Sequence, residues 1–223
     1  MKRSLLLLLL CCSFYAAHAD SRDYIREKIR DWGECKNVAI TKTNGDLALY
    51  GKNGWAGSGL PSALSNALHE LHDNDELIDD VCLTENGRWL ILYGNNGFRW
   101  DGIPYSLENK LREYNANNEV VLSVSFNDSG DWILIGEDHY SASSTEISNW
   151  LKNGANKHGM LWSVCVTNDG IVACYENGFQ FLGEYPDMLK SRLIDADFDV
   201  YRIKIAGDAF FFADKYGRYD YRM

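Results

Sequence analysis

Long apolar runs are nearly absent. The one obvious case is the leucine stretch of MKRSLLLLLLCCSFYAAHA, residues 1–19. It is too short for a membrane span, which needs roughly 20 apolar residues. Its basic start (Lys2, Arg3) and the small-residue pattern Ala17-His18-Ala19 instead predict a secretory signal cleaved before Asp20. Neither Cys11 nor Cys12 follows a small residue as a lipid-anchoring cysteine usually does, so a released product, secreted or periplasmic, is expected. Basic residues are also outnumbered: 22 Lys+Arg against 32 Asp+Glu, a formal charge of −10 that becomes −12 without Lys2 and Arg3. Such a surface repels nucleic acid and anionic lipid and excludes both as favoured partners.

Chemical motifs are equally scarce. No CxxC pair offers a zinc site, and no GxSxG or other nucleophile signature occurs. His69 and His72, in ALHELHDNDE, stand three apart rather than at the i, i+4 spacing of a helical zinc protease. They read as a solvated helix face, with half a metal site as the alternative. No cofactor, metal or catalytic residue is expected. Proline numbers three in 223 residues, and all three occupy one kind of place.

That place belongs to a repeat. Residues 84–104 read TENGRWLILYGNNGFRWDGIP. Related wording returns at 41–61 (TKTNGDLALYGKNGWAGSGLP) and 167–186 (TNDGIVACYENGFQFLGEYP). It is worn at 127–146 and most altered in AGDAFFFADKYGRYDYRM at 206–223. Helical spacing follows or precedes each copy: Ile25, Ile29, Trp32; Leu64, Leu68, Leu71; Leu107, Leu111, Tyr114; Ile147, Leu151; and Leu189, Leu193. Their leading residues lie 39, 43, 40 and 42 apart, a period near 40. Pro61, Pro104 and Pro186 each stand three residues before such a helix anchor, where proline suits a first helical position. Ser143, Ser144 and Thr145 offer N-cap oxygens where proline is missing.

The pairs Asn44-Gly45, Asn86-Gly87, Ser129-Gly130 and Asp169-Gly170 each join two apolar runs as two-residue hairpin turns. Second turns follow at Asn53-Gly54, Asn96-Gly97 and Asn177-Gly178. One unit is therefore a helix followed by a three-strand meander. A two-residue turn at 86–87 would pair Leu83 with Leu90 and Cys82 with Ile91, leaving both faces apolar. A sheet wetted on one side alternates apolar and polar residues, so these sheets must be covered twice. Radial stacking meets that need. The expected fold class is mainly β with short helices: a signal at 1–19, then one domain, 20–223, of units near 20–60, 61–103, 104–143, 144–185 and 186–223. Ring closure as a five-bladed propeller-like monomer is favoured over an open solenoid, whose last unit would need a polar cap that Phe210, Phe211 and Phe212 do not supply.

The wording T-x-N-G-x-W-x-x-x-Y-G-x-N-G-[FW]…G-[IL]-P-x-x-L-x-x-x-L resembles a repeat of functionally uncharacterised secreted and multidomain bacterial and protist proteins, usually taken as propeller-like. The resemblance spans 20–223 and is strongest in the second unit. It implies an architecture and no catalytic residues.

Four cysteines remain after the signal. Cys165 and Cys174 stand four residues either side of Asp169-Gly170, so a two-residue turn there would place them opposite each other and predicts a cross-strand disulfide. Two small buried thiols are the alternative. Cys35 with Cys82 is open. In Glu137-Asp138-His139-Tyr140, which replaces the second turn of the third unit, His139 beside two carboxylates is a candidate acid/base or ligand contact. Third strands carry Trp55, Phe98, Trp100, Tyr140, Phe179, Phe181 and Tyr219, alternating with polar residues such as Arg99 and Asp101. Exposed aromatics with polar neighbours suit sugar rings or peptide side chains. The expected activity is recognition of an extracellular ligand, a glycan foremost. The alternatives are a protein-interaction or inhibitor module using the acidic surface, and a polysaccharide hydrolase with carboxylates in a central channel.

Overall fold

The computed structural model describes residues 21–43 and 45–223. The proposed signal and its cleavage site lie outside these residues. Helix α1 (21–32) leads into β1 (Asn37–Ala39), β2 (Asp46–Tyr50) and β3 (Gly54–Ser58). The order then repeats: α2 (Ser62–Asp73) with β4 (Ile78–Leu83), β5 (Trp89–Tyr93) and β6 (Gly97–Asp101). Next come α3 (Tyr105–Ala116) with β7 (Val121–Phe126), β8 (Trp132–Gly136) and β9 (Tyr140–Ala142). They are followed by α4 (Thr145–His158) with β10 (Leu161–Thr167), β11 (Gly170–Tyr175) and β12 (Gly178–Gly183). Last are α5 (Asp187–Ile194), β13 (Arg202–Ala206), β14 (Ala209–Ala213) and β15 (Tyr219–Arg222). Each unit forms its own three-stranded antiparallel sheet in simple meander order, so the protein is mainly β with short helices in five like sheets.

Burial falls across each sheet. The middle strands are buried on both faces, while the third strands are half-buried. Leu47 and Leu49 of the first sheet, Val81, Trp89 and Ile91 of the second, and Leu64, Leu68 and Leu71 of α2 make one core. The same plan joins the second and third sheets through α3, the third and fourth through α4, and the fourth and fifth through α5. A fifth core brings Ile25 and Ile29 of α1 together with Val38 and Ala48 of the first sheet and Phe211 of the last. First strands adjoin in succession: β1 and β4, β4 and β7, β7 and β10, β10 and β13, and β13 and β1.

Helix starts follow the anchors, with one adjustment. The prolines occupy the capping position before the first helical residue, with extended ψ near 136°, and their carbonyls accept from Ser65, Glu108 and Lys190 N–H. Ser144 caps α4 by accepting from Ile147 N–H at 3.2 Å.

Several turns are longer than two residues, and this changes the register. Thr84 N–H donates to Arg88 C=O at 2.9 Å around Gly87 at φ +78°, and Asn127 with Asp131 repeats the arrangement around Gly130 at φ +96°. These are three-residue loops closed by a left-handed glycine, a bulged alternative to the two-residue turn. Leu83 consequently pairs with Trp89 and Cys82 with Leu90. In the fourth unit the two-residue loop is Asn168-Asp169, which pairs Cys165 with Val172 and Ser163 with Cys174. The expected Cys165–Cys174 disulfide is thereby overturned: the two residues are not opposite, and both are free, buried thiols, as are Cys35 and Cys82. Burial pushes the thiols of Cys82 and Cys174 up to about 12 and that of Cys165 up to about 11.

Candidate ligand cavity and buried polar centre

The first strands place two columns of equivalent residues. Asn37, Asp80, Ser123, Ser163 and Arg202 pair with Leu49, Leu92, Ile135, Cys174 and Ala213. Two residues on, Ala39, Cys82, Ser125, Cys165 and Lys204 form the second column. Nearly all are buried. Their polar atoms reach across to neighbouring sheets. Asn37 Nδ2 donates to Asp80 Oδ1 at 2.7 Å, Ser125 Oγ accepts from Val166 N–H at 2.8 Å, and Ser163 Oγ donates to Val200 C=O at 3.0 Å. Lys204 Nζ donates to the same Asp80 Oδ1 at 2.7 Å and lies 3.6 Å from Cys82 Sγ. Burial opposes the charge on Lys204, but adjacent Asp80 and the Cys82 contact outweigh it and hold the ammonium above its ordinary pKa. This centre ties sheets one, two and five at a single carboxylate.

Either end of these columns opens differently. The end formed by the first turns is a depression of about 450 Å³ lined by Glu85, Asp128, Asp169, Glu184 and Asp208 with Lys42 as its cation. Its carboxylates join neighbouring loops. Glu85 accepts from Lys42 N–H at 2.7 Å and Thr43 Oγ1 at 3.2 Å, Asp128 accepts from Thr84 Oγ1 at 2.7 Å, and Asp169 pairs with Lys42.

The opposite end is a cavity of about 1060 Å³. It is bounded by residues 34–36, the β8–β9 loop, the outer face of α4, residues 160–162 and the start of β13. Trp162 and Tyr201 border it as a stacked pair, with ring centroids 4.7 Å apart and planes 12° from parallel. Leu122 and Met160 stand exposed along it. His139 lines this cavity, but its partner is neither Glu137 nor Asp138. Its Nε2 lies 3.1 Å from Glu119, and the ring sits 5.0 Å from that of Tyr114.

The third-strand residues are dispersed over five sheets. Tyr140 alone among them lines the large cavity. Trp55 packs on the first core with its ring edge toward His69, 4.8 Å between centroids. Phe98 and Trp100 pack on the core shared with α3, and together with Arg99 they border a shallow groove of about 360 Å³. Arg112 covers the Trp100 ring at 5.2 Å, Arg99 donates to Glu70 at 2.5 Å, and Asp101 is exposed. Phe179 and Phe181 border another groove, of about 520 Å³, while Tyr219 packs on the core behind Phe211. His69 and His72 are exposed, and among the described residues no His, Cys, Asp or Glu cluster has the geometry to hold a metal ion.

Asp80, Lys204, Trp162 and Tyr201 escaped the sequence reading. The column residues do carry a signal, namely polar residues recurring at first-strand positions with the repeat period. Trp162, at the bulge of β10, and Tyr201, just before β13, each stand one residue before the column residues Ser163 and Arg202, so the repeat period also places them in equivalent positions.

No protein-family model and no curated protein matches the chain. Among solved structures, the C-terminal domain of gp131 from bacteriophage phiKZ is similar at 10% identity with a TM-score of 0.41, covering 69% of this chain and 53% of that one. A structure of YCF48 bound to D1 peptide is similar at 8% identity with a TM-score of 0.30, covering 80% of this chain and 46% of that one. The chain thus spans about half the length of each.

Proposed function

We propose that the five sheets close into a propeller-like ring and that the protein is an exported recognition module. Closure is supported by the core that joins α1 and the first sheet to Phe211 of the last, and by the contact of β13 with β1. The observation that carries the recognition reading is the 1060 Å³ cavity bordered by the Trp162–Tyr201 pair. A concave site of this size, bordered by aromatic rings and polar groups, suits a ligand held by stacking and a few directed hydrogen bonds. A glycan is the first candidate, because sugar rings offer an apolar face and a hydroxylated edge. On a glycan array, the native protein gives signals that Trp162→Ala abolishes and Trp100→Ala leaves in place, since Trp100 belongs to a different groove. Signals lost with Trp100→Ala and kept with Trp162→Ala would return the site to the third strands.

The carboxylate-lined depression at the other end favours a second reading, a surface for a basic protein partner. Capture of such a partner that weakens steeply with salt, and is lost on replacing Glu85 and Asp128 with Gln and Asn, would support it. Capture that is indifferent to both would remove it.

A further inference from the structure

We propose that the large cavity is selective for anionic saccharides, sugar rings bearing carboxylate or sulfate. This deepens the recognition reading above and rests on it.

The protein is acidic overall, and most lysines and arginines of the described chain are spent on ion pairs. Among the described residues eight lysines and arginines have no carboxylate oxygen within 4.0 Å; Lys28, Arg88, Lys157 and Arg222 lie elsewhere, while the other four, Lys36, Lys152, Arg202 and Lys215, line this one cavity. Their contacts leave each cation's charge uncancelled. Lys36 donates to the carbonyls of Ile78 and, at 3.2 Å, Lys52, while Arg202 donates to Tyr201 C=O at 3.0 Å. Lys215 lies over the rings of Tyr201 and Tyr216, 5.4 Å and 5.2 Å from their centroids. Lys152 stands on the exposed face of α4, next to inward-facing Leu151.

The acids bordering the same space do not offset these cations. Asp214 is taken up by Arg218 and by the Tyr216 and Arg218 amides. Glu34, Glu137 and Asp138 are exposed at the rim, where water and salt screen them as they screen exposed Lys152 and Lys215. Lys36 and Arg202 sit deeper, half-buried, and feel a ligand's charge with less screening. The carboxylate that both sense is Asp79, whose pKa burial raises despite the attraction of Lys36 and Arg202. Burial also lowers the pKa of Lys36, with Arg202 adding to this and Asp79, Asp80 and Glu34 opposing it.

Charge alone would suit any anion; the aromatic pair narrows the class. Trp162 stacks on Tyr201, Lys215 lies over the Tyr201 ring and Arg202 follows it in the chain, so aromatic rings and cations stand side by side. A ligand using both elements needs a flat apolar face and an anionic edge, which acidic sugars combine. Guanidinium and ammonium groups then make charge-assisted hydrogen bonds to carboxylate or sulfate.

The test is titration calorimetry on the full-length mature protein. The probes are oligogalacturonate, a sulfated dextran oligomer, neutral maltohexaose and inorganic sulfate, each at two salt concentrations. The expected result is that one or both anionic oligomers bind at least about tenfold tighter than maltohexaose and weaken with salt. The two anionic arms separate carboxylate from sulfate. Lys152→Ala, at an exposed position whose loss leaves the core intact, should weaken the anionic oligomer several-fold, and Trp162→Ala more. Maltohexaose binding as tightly as the anionic oligomers would overturn the charge selectivity and leave the recognition site standing. Inorganic sulfate competing as well as the oligomers would overturn the saccharide assignment. No binding of any probe, or binding unmoved by Trp162→Ala, would remove the site and this inference together.

Discussion

At the scale of single residues, the buried pair Lys204–Asp80 matters most, because both groups have left water and depend on each other. Removing one partner of such a pair leaves a buried charge uncompensated and typically costs about 3–5 kcal/mol. Lys204→Ala should therefore lower unfolding free energy by about that amount in urea titration. A Lys204→Met, Asp80→Leu double change should recover most of the loss. A loss below about 1 kcal/mol for Lys204→Ala would mean that water already reaches the centre. Protonation gives a second test. Lys204 and the buried thiols all have folded pKa values raised above their unfolded ones. Groups of that kind contribute stability that is intact below the unfolded pKa and lost as pH rises through the folded one. With thiols moving from 9.0 to about 12, the melting temperature should hold steady near neutrality and fall from about pH 9 upward. Native protein should also leave Cys35, Cys82, Cys165 and Cys174 unreactive toward a thiol reagent, and unfolding without reductant should expose all four. A thiol count short of that would restore a disulfide.

At the scale of elements, the recurring motif words correspond to specific contacts. In Tyr-Gly-x-Asn-Gly, the first glycine is Gly51 at φ +53° or Gly94 at φ +60°, a left-handed turn position. The second, Gly54 or Gly97, lies under the ring of the motif's own tyrosine. A Cβ on Gly97 would come within 2.6 Å of Tyr93 Cζ. Gly97→Ala should thus cost about 1–3 kcal/mol by overpacking, with Tyr93→Leu in the same chain relieving part of it. Ser144→Ala removes the cap of α4 and should cost about 1 kcal/mol in the same denaturation assay. Helix anchors were legible because the 3.6-residue period needs no tertiary information. Every one of Leu64, Leu68, Leu71, Leu107, Leu111, Ile147, Leu151, Leu189 and Leu193 is buried. Turn length was not legible. Asn-Gly permits a two-residue turn, but Thr84 and Asn127 close three-residue loops instead, and one extra residue shifts every cross-strand pair. The disulfide expectation failed on a related point: the fourth unit keeps a two-residue turn but places it at Asn168-Asp169, one residue earlier than Asp169-Gly170.

At the scale of the whole molecule, α1 has a role unlike that of the other helices. It supplies Ile25 and Ile29 to the core between the first sheet and the last, and Arg22 donates to Thr41 C=O at 2.7 Å. A chain beginning after residue 33 should leave Phe211, Val38 and Ala48 facing solvent. It should bind a hydrophobic dye and lose cooperative melting, and adding the α1 peptide in trans should restore part of the transition. Unchanged melting of the shortened chain would count against closure. The same scale explains why the candidate cavity went unread. Lys36, Lys152, Trp162 and Arg202 come from three different units, and only sheet packing brings them to one end of the molecule.

The sequence by itself determined the number of units, the helix-then-meander order and the burial of both sheet faces, because these follow from local periodicity, turn-forming glycine and the need to shelter apolar surface. It did not determine the strand register, the meeting of Lys204 with Asp80 across 124 residues, or which aromatics border a cavity. Those depend on how one sheet is rotated and offset against the next. That geometry is set by side-chain packing between units rather than by anything within one.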